Sequence, residues 1–223
     1  HGLDHRRLLR RRPHHRADLH ARAALHPQGQ VEDRLTGEAL GLLEVSSLAR
    51  GVVTADAVAK RAPVELLLCE ATTPGKYLVL FAGGVAEVDE SLTAGAAIAA
   101  DALLDRLFLP QADAQLLPAI RAGTNGLPRV AAESAAWAAG MVELTTVSAA
   151  LRSADAACKA AEVQLQLLRL ARGIGGKGFF ILRGELHSVE AAVEAAKEAA
   201  GAGTIAGAEI VAAPHGDLRG RAL

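Results

Sequence analysis

Residues 39–44 read Ala-Leu-Gly-Leu-Leu-Glu, and residues 138–143 read Ala-Ala-Gly-Met-Val-Glu. The same offset of 99 residues pairs Thr54–Ala57 with Ser153–Ala156 and Lys60 with Lys159. After a two-residue insertion in the second copy, Gly75-Lys76 aligns with Gly176-Lys177. Self-similarity at a nearly fixed offset is typical of a repeated structural unit. The sequence therefore predicts two tandem copies of one domain.

Each copy has the same predicted order of elements: strand, helix, strand, strand, helix, strand. Short apolar runs such as Leu40–Val45 are typical of strands, and two such runs around a short glycine-containing turn indicate an antiparallel hairpin. Thr54 and Ser153 are expected to be helix N-caps, with Asp56 and Asp155 in the first turn. The fold class is therefore α+β, with a small, four-stranded, mostly antiparallel sheet and helices packed on one side in each copy.

The chain divides into four predicted segments by composition. The first 34 residues hold six of the eight histidines and eight arginines and show no hydrophobic periodicity, so they cannot offset the entropy of ordering. The connection at residues 111–136 contains Pro118, Gly123, Asn125, Gly126 and Pro128, residue types that are typical of loops. We therefore expect a disordered basic, histidine-rich tail at residues 1–37, a first domain at 38–121, a linker at 122–136 and a second domain at 137–221.

The composition excludes several classes of function. A net charge of −1 argues against a nucleic-acid partner, which would require a basic surface, and only six aromatic residues are present. No apolar run reaches the length of about 18 residues that a membrane span needs. Cys69 and Cys158 are widely separated, which fits reduced thiols in the cytoplasm rather than a disulfide framework. Both cysteines are expected to be small core residues.

A glycine-rich stretch, Gly173–Gly178, matches the pattern G-x-G-x-x-G. In a dinucleotide site this pattern lies between a strand and a helix, so that the helix N-terminus meets the pyrophosphate. Here strand-forming residues, Phe179–Leu182, follow at once. The stretch is therefore interpreted as a strand connection whose glycines adopt positive φ, or as a loop whose open backbone amides surround a ligand or a pore.

No set of residues in the sequence predicts catalysis, and the protein is not expected to be an enzyme. Outside the tail only His187 and His215 remain as histidines, and neither recurs in the other copy. Glu44 and Glu143 do recur, at the ends of equivalent strands, and we expect them to have a structural hydrogen-bonding role. No group of residues has the spacing of a metal site, so no metal and no cofactor are expected.

Several segments together carry a resemblance to a known family. They are Gly41–Gly51, Ala55–Lys60 and Gly83–Val88 in the first copy, and Ala154–Lys159 and Arg183–Val189 in the second. In this order they resemble the bacterial microcompartment shell domain, and two fused copies resemble the trimeric tandem-domain shell proteins in their unpermuted order. The resemblance implies a homotrimer that is pseudo-hexameric and tiles the facets of a shell in the cytoplasm. Other shell proteins, both hexameric and pentameric tiles, would be its partners.

In this family the loops between the second and third strands line a central pore through which small metabolites pass. The resemblance therefore implies that ten residues line a pore here: Thr72, Thr73, Pro74, Gly75, Lys76, Gly173, Ile174, Gly175, Gly176 and Lys177. It also implies that Lys60 and Lys159 lie at the edges along which tiles assemble. As a hypothesis, the lysines at positions 76 and 177 would favour the passage of anionic metabolites.

Some tandem relatives carry Cys-Pro-Gly-Lys in the first of these loops and bind an iron–sulfur cluster there. This chain has Thr73-Pro74-Gly75-Lys76, and a threonine supplies no thiolate ligand, so no cluster is expected. Two alternatives to the structural role with a pore are left open. One is a small-molecule sensor or enzyme with the glycine loops as its site, and the other is an electron-transfer shell protein with a metal centre.

Overall fold

The computed structural model describes residues 39–123 and 137–218. The predicted tail at residues 1–37 lies outside the described residues, as does the predicted linker beyond residue 123. The first copy of the repeat contains four strands, two α-helices and a single 3-10 turn. In chain order these are β1 (Ala39–Val45), α1 (Leu48–Arg61), β2 (Glu65–Thr72), β3 (Lys76–Gly83), α2 (Val85–Ala99), the turn Ala100–Ala102 and β4 (Leu103–Leu109).

The second copy repeats this order after a short helix, α3 (Leu116–Ala122). Its elements are β5 (Ala138–Leu144), α4 (Val147–Ala160), β6 (Val163–Leu170), β7 (Gly178–Gly184), α5 (Leu186–Ala200) and β8 (Ile205–Val211). The two sheets have the equivalent orders β2-β3-β1-β4 and β6-β7-β5-β8, and all paired strands are antiparallel. The predicted α+β fold and the predicted order of elements are confirmed.

The start of the first helix in each copy differs from the prediction. Thr54 and Ser153 are not N-caps but lie inside α1 and α4, and Asp56 and Asp155 lie later than the first turn. The N-caps are Ser47, whose side chain accepts from the Arg50 N–H, and Thr146, whose side chain accepts from the Ala149 N–H. Thr54 instead donates its hydroxyl to the Arg50 carbonyl, 2.9 Å away, which is a common bond for a threonine within a helix.

Tertiary packing explains why α1 begins seven residues earlier than its sequence suggested. Gly51 lowers the helix propensity of the segment, but a Cβ at this position would lie 2.3 Å from Cγ of Tyr77 on β3. In the second copy the glycine is on the strand instead of the helix: Ala150 of α4 packs over Gly178 of β7. Each copy thus needs one glycine where the helix crosses its sheet.

The helix α3 lies in the segment that was predicted to be a loop connection. Its proline, Pro118, occupies the first helical turn, where a missing N–H breaks no intrahelical bond. Leu116 and Ala119 of this helix are buried in the same cluster as Leu165 and Leu168 of β6. Burial of this apolar face against β6 stabilises a helix of only seven residues that could not form alone.

The buried apolar residues form a smaller and a larger cluster. The smaller one lies between the first sheet and its own helices, and includes Leu43, Val58 and Phe81. The larger one joins the two copies, because Leu40 and Leu42 on the opposite face of β1 share it with α3, α4 and α5. The first sheet is therefore covered on both faces, by its own helices and by the second domain. None of the described helices is long and apolar enough to cross a membrane.

Candidate functional site

The β2–β3 hairpin carries the first of the two loops expected at a pore. Thr72 ends β2, Lys76 begins β3, and the turn between them contains a cis peptide bond from Thr73 to Pro74. The turn is closed by the Gly75 N–H, which donates to the Thr72 carbonyl over 2.8 Å. Gly75 has a φ of 118°, a conformation that side chains rarely tolerate, so glycine is required here.

The β6–β7 hairpin carries the second loop, which is longer. Gly173, Gly175 and Gly176 all have positive φ, as expected for a glycine-rich strand connection, and Ile174 lies between them. Ala171 anchors the loop: its N–H donates to the Lys177 carbonyl, and its carbonyl accepts from Gly176. Since β7 begins at Gly178 directly after the loop, the structure lacks the strand-to-helix turn of a dinucleotide site.

The two loops lie side by side within one chain. A Cβ on Gly176 would lie 2.3 Å from the Thr73 carbonyl oxygen, so the absence of a side chain permits this approach. Next to it, Arg172 Nε donates to both carboxylate oxygens of Glu70 on β2, at 2.9 and 2.8 Å. This hydrogen-bonded carboxylate raises the pKa of Arg172 above its ordinary value. A charged pair and a glycine thus hold the predicted loop residues of both copies together.

Each loop lysine is paired with the recurring glutamate of the neighbouring strand. Lys76 Nζ lies 2.9 Å from Glu44 Oε2, and Lys177 Nζ lies 2.6 Å from Glu143 Oε1. The Glu44 side chain is 1% exposed, whereas the Glu143 side chain is 41% exposed. The expected hydrogen-bonding role of these glutamates is confirmed. The positive charges of Lys76 and Lys177, on which the hypothesis of anion passage rested, are thus balanced by a glutamate within each copy.

The two helix lysines have different surroundings, although both lie in the last turn of their helices. Lys60 pairs with Asp56 at 2.7 Å and is exposed. Lys159 pairs with Asp155 at 2.7 Å and also donates to the carbonyl of Gln111, in the segment that joins the two domains. Lys159 therefore makes a contact between the domains.

The sequence did not predict the polar residues of the domain interface. The Ser148 N–H, in the first turn of α4, donates to Glu44 Oε1 at 3.3 Å, and the Ser148 hydroxyl donates to Asp105 on β4. These residues differ from their counterparts in the other copy, Ala49 and Gly207. Such differences between the repeats were the only indication of these contacts in the sequence.

One of the two cysteines departs from the prediction that both are core residues. Cys158 is buried, and burial together with the nearby Asp113 and Asp155 carboxylates raises its pKa to about 12. The core position of Cys158 is confirmed, whereas Cys69 on β2 was expected in the core but is exposed. Among residues 39–123 and 137–218, no group of three or more histidine, cysteine or acidic side chains is arranged to hold a metal ion.

The chain has two α+β domains of the same topology. Helix α4 of the second domain packs on the sheet of the first, and the hairpin loops of the two domains are in contact. This arrangement is that of a tandem-domain shell protein. The model of the bacterial microcompartment (BMC) domain family matches residues 39–112 and 138–214, so the chain belongs to this family. Proteins of this family build microcompartment shells, and the structural role that the sequence implied is confirmed.

Individual relatives agree with this assignment. The chain is 37% identical to the bacterial microcompartment shell protein PduT of Citrobacter freundii over 179 residues, which are 80% of this chain and 94% of the relative. It is 38% identical over 94 residues to the carboxysome shell protein CsoS1 of Prochlorococcus marinus, covering 40% of this chain and 86% of that one. The crystal structure of a microcompartment protein from Desulfitobacterium hafniense has a TM-score of 0.74 and 39% identity, covering 82% and 98% of the two chains.

Proposed function

We propose that three copies of this chain close into a pseudo-hexameric ring that forms a facet tile of a microcompartment shell in the cytoplasm, in a structural rather than a catalytic role. The observation that carries this proposal is that the contact between the two domains forms only once within the chain, although the repeated domains carry its surfaces twice. The counterpart surface on the first domain, the outer side of α1, is left exposed. A second copy supplies the matching surface.

The helix surfaces differ most clearly at their apolar residues. Val147 and Leu151 of α4 are 0% exposed, because they pack against the first sheet of the same chain. Their counterparts on α1, Leu48 and Val52, are 46% and 56% exposed. Exposed apolar side chains at positions that are buried in the other copy favour an interface with a further subunit.

The glutamates give the polar half of the same argument. Glu44 accepts from the backbone at the N-terminus of α4, where the helix dipole favours a carboxylate. Its counterpart Glu143 binds Lys177 and is otherwise open on the outer face of the second sheet. In the ring, Glu143 accepts from the N–H of Ala49 of the partner subunit, which is the counterpart of Ser148.

The proposed contact between chains joins two unlike surfaces, and the family resemblance implies that it closes into a ring. The two surfaces are different from each other, so the contact is head-to-tail, and such contacts close into rings when the rotation allows. Three chains of two equivalent domains place six equivalent units around one axis. This is the arrangement that the family resemblance implies for tandem-domain shell proteins.

We place the paired loops around the axis of this ring. Thr72, Thr73, Pro74, Gly75 and Lys76 then alternate with Gly173, Ile174, Gly175, Gly176 and Lys177 around a pore for small metabolites. Because Glu44 and Glu143 neutralise the two lysines, the pore selects solutes more by size and by backbone dipoles than by net charge. Replacing both lysines with alanine would leave the glutamates unpaired and lower the uptake of anions relative to neutral solutes of the same size.

Contacts with neighbouring tiles, including other shell proteins, lie at the rim of the ring in this proposal. Lys60, exposed at the end of α1, is available for such an edge contact. Lys159 would contribute less, because it already binds Asp155 and the Gln111 carbonyl.

The experiment that tests the ring is a native mass measurement of the full chain by light scattering over a range of concentrations. The expected result is three times the chain mass of 23.0 kDa. Electron microscopy of the concentrated protein should then show hexagonally packed sheets. A monomer at every concentration would overturn the proposal, because neither the pore nor the tile exists without the ring.

A further inference from the structure

The segment that follows β8 has the same local conformation as the segment that follows β4. After β4, the Leu116 N–H donates to the Asp113 carbonyl over 3.0 Å. After β8, the Leu218 N–H donates to the His215 carbonyl over 3.0 Å. The side chain at the start of each turn also accepts from the backbone two positions later: the Gln115 N–H donates to Asp113 Oδ1, and the Asp217 N–H donates to His215 Nδ1.

The turn after β4 docks the first domain on the second. Its Asp113 N–H donates to Asp155 Oδ1 on α4 at 2.7 Å. The Gln115 side chain donates to the Val163 carbonyl and accepts from the Leu165 N–H, which satisfies the free edge of β6. Leu116 is 0% exposed, in the cluster that contains Leu165 and Leu168.

The turn after β8 has the same form, but its leucine has no such cover. Leu218 is 45% exposed, whereas Pro214 before it is buried. The C-terminal segment thus holds the shape of a docked segment while its apolar residue remains in contact with solvent.

The first domain carries the matching receptor surface. Asp56 and Lys60 on α1 form the same ion pair as Asp155 and Lys159, with the same separation of 2.7 Å. On β2, Leu66 and Cys69 are exposed, whereas their counterparts on β6 are buried. This surface lies on the helix-bearing side of the edge strand, as it does in the second domain.

We propose that residues 213–218 of each chain dock on α1 and β2 of the next chain in the ring. The inference rests on the proposed trimer and adds the segment that fastens it. In this contact the His215 N–H donates to the partner's Asp56, and the partner's Lys60 donates to the Ala213 carbonyl. Leu218 covers the partner's Leu66 and Cys69, and the Asp217 carboxylate accepts from the partner's Leu66 N–H. Since an aspartate cannot also donate as Gln115 does, this contact has one hydrogen bond fewer than the one within the chain.

Chemical cross-linking tests this contact directly. The variant Leu218→Cys, treated at equilibrium with a short bismaleimide, should join the new thiol to native Cys69 of the partner subunit. The expected product is covalent dimer and trimer on a denaturing gel. Two controls should give no cross-linked product: Leu218→Cys combined with Cys69→Ser, and Leu186→Cys, which replaces a similarly exposed leucine on α5. Light scattering of each sample records whether the ring is present.

The outcomes separate this inference from the ring itself. A trimeric mass without cross-linking in the Leu218→Cys variant would overturn the docking of the segment and leave the ring intact. A monomeric mass for the unmodified chain would overturn both. In a second measurement, Leu218→Asp should raise the protein concentration at which half of the trimer dissociates by about tenfold, from the loss of three partly buried leucines. An unchanged midpoint would also count against the docking, and Leu186→Asp is the matched control.

Discussion

The exposed aliphatic side chains of α1 give the sharpest perturbation of the proposed ring. Leu48 and Val52 are accessible in the isolated chain, while their counterparts Val147 and Leu151 are fully buried between the domains. We expect the double substitution Leu48→Ala and Val52→Ala to weaken the trimer and to leave the unfolding of the single chain nearly unchanged.

The magnitude follows from the exposed fractions of 46% and 56%. Full burial of a leucine or valine side chain stabilises by roughly 1.5–3 kcal/mol, and about half of that gain remains available here. Truncation to alanine should therefore remove about 0.8 kcal/mol per residue and about 5 kcal/mol over the three interfaces of a ring. The trimerisation constant would fall by a factor of about 10^3.5, and since three chains combine, the midpoint concentration would rise about 60-fold.

The assay is a dilution series followed by light scattering or sedimentation velocity, with the unmodified chain measured in parallel. The counterpart variant, Val147→Ala with Leu151→Ala, is the matched control. It should lower the free energy of unfolding of the chain itself by several kcal/mol, independently of concentration, since it creates cavities in a buried interface. A midpoint that stays within about twofold for the α1 variant would refute the assignment of this surface to the subunit interface.

Three further predictions concern the chain itself. At pH 8, and at a concentration low enough to keep the chain monomeric, a thiol-reactive maleimide should modify Cys69 and leave Cys158 intact until denaturant is added. A pKa of about 12 leaves only about one Cys158 thiol in 10^4 ionised, and mass spectrometry would locate the label. Burial also raises the pKa of Cys69, so its rate of modification should keep rising above pH 9. Gly176→Ala should lower the free energy of unfolding by about 2 kcal/mol or more, and Gly175→Ala by about 1 kcal/mol. Both glycines have positive φ, but only Gly176 faces a carbonyl oxygen within 4 Å. Equal losses would show that contact between the loops is unimportant for stability. Lys76→Ala should destabilise the chain by roughly 2–3 kcal/mol in chemical denaturation, since it leaves the buried Glu44 carboxylate without its cation. Lys177→Ala should cost less than about 1 kcal/mol, because its pair with Glu143 is exposed. The reverse order would contradict the burial argument.

The fold could be predicted from the sequence because its determinants are local and occur twice. Short apolar runs, the hairpin glycines and the constant offset between copies each indicate an element without knowledge of its neighbours. The helix starts could not be predicted, because Gly51 disfavours a helix until Tyr77 is seen to require its missing side chain. The same holds for α3, whose residues gain stability only when Leu116 is buried against the second domain.

The sequence indicated the two equivalent hairpin loops that carry the candidate residues, but not the electrostatics of those loops. The loop residues recur at equivalent positions, so their importance could be inferred from the repeat. The pairing of Lys76 with Glu44 depends on the register between β1 and β3, which places Glu44 opposite Leu78. Because that register is a property of the folded sheet, the loss of the lysines' free charge could not be read from the sequence.

The duplication has produced one interface within the chain and, in the proposed ring, a second interface of the same geometry and different composition. Between the domains of one chain, Ser148 and Asp105 add a hydrogen bond beside the Glu44 carboxylate, and the covalent connection keeps both surfaces at high effective concentration. At the proposed interface between chains, Ala49 and Gly207 replace the serine and the aspartate, and two exposed aliphatic residues take over. A less polar contact needs fewer exact hydrogen bonds to form, and without a covalent link it depends on protein concentration. In the proposed assembly the chain therefore folds first as a two-domain unit and closes into rings only when enough copies are present.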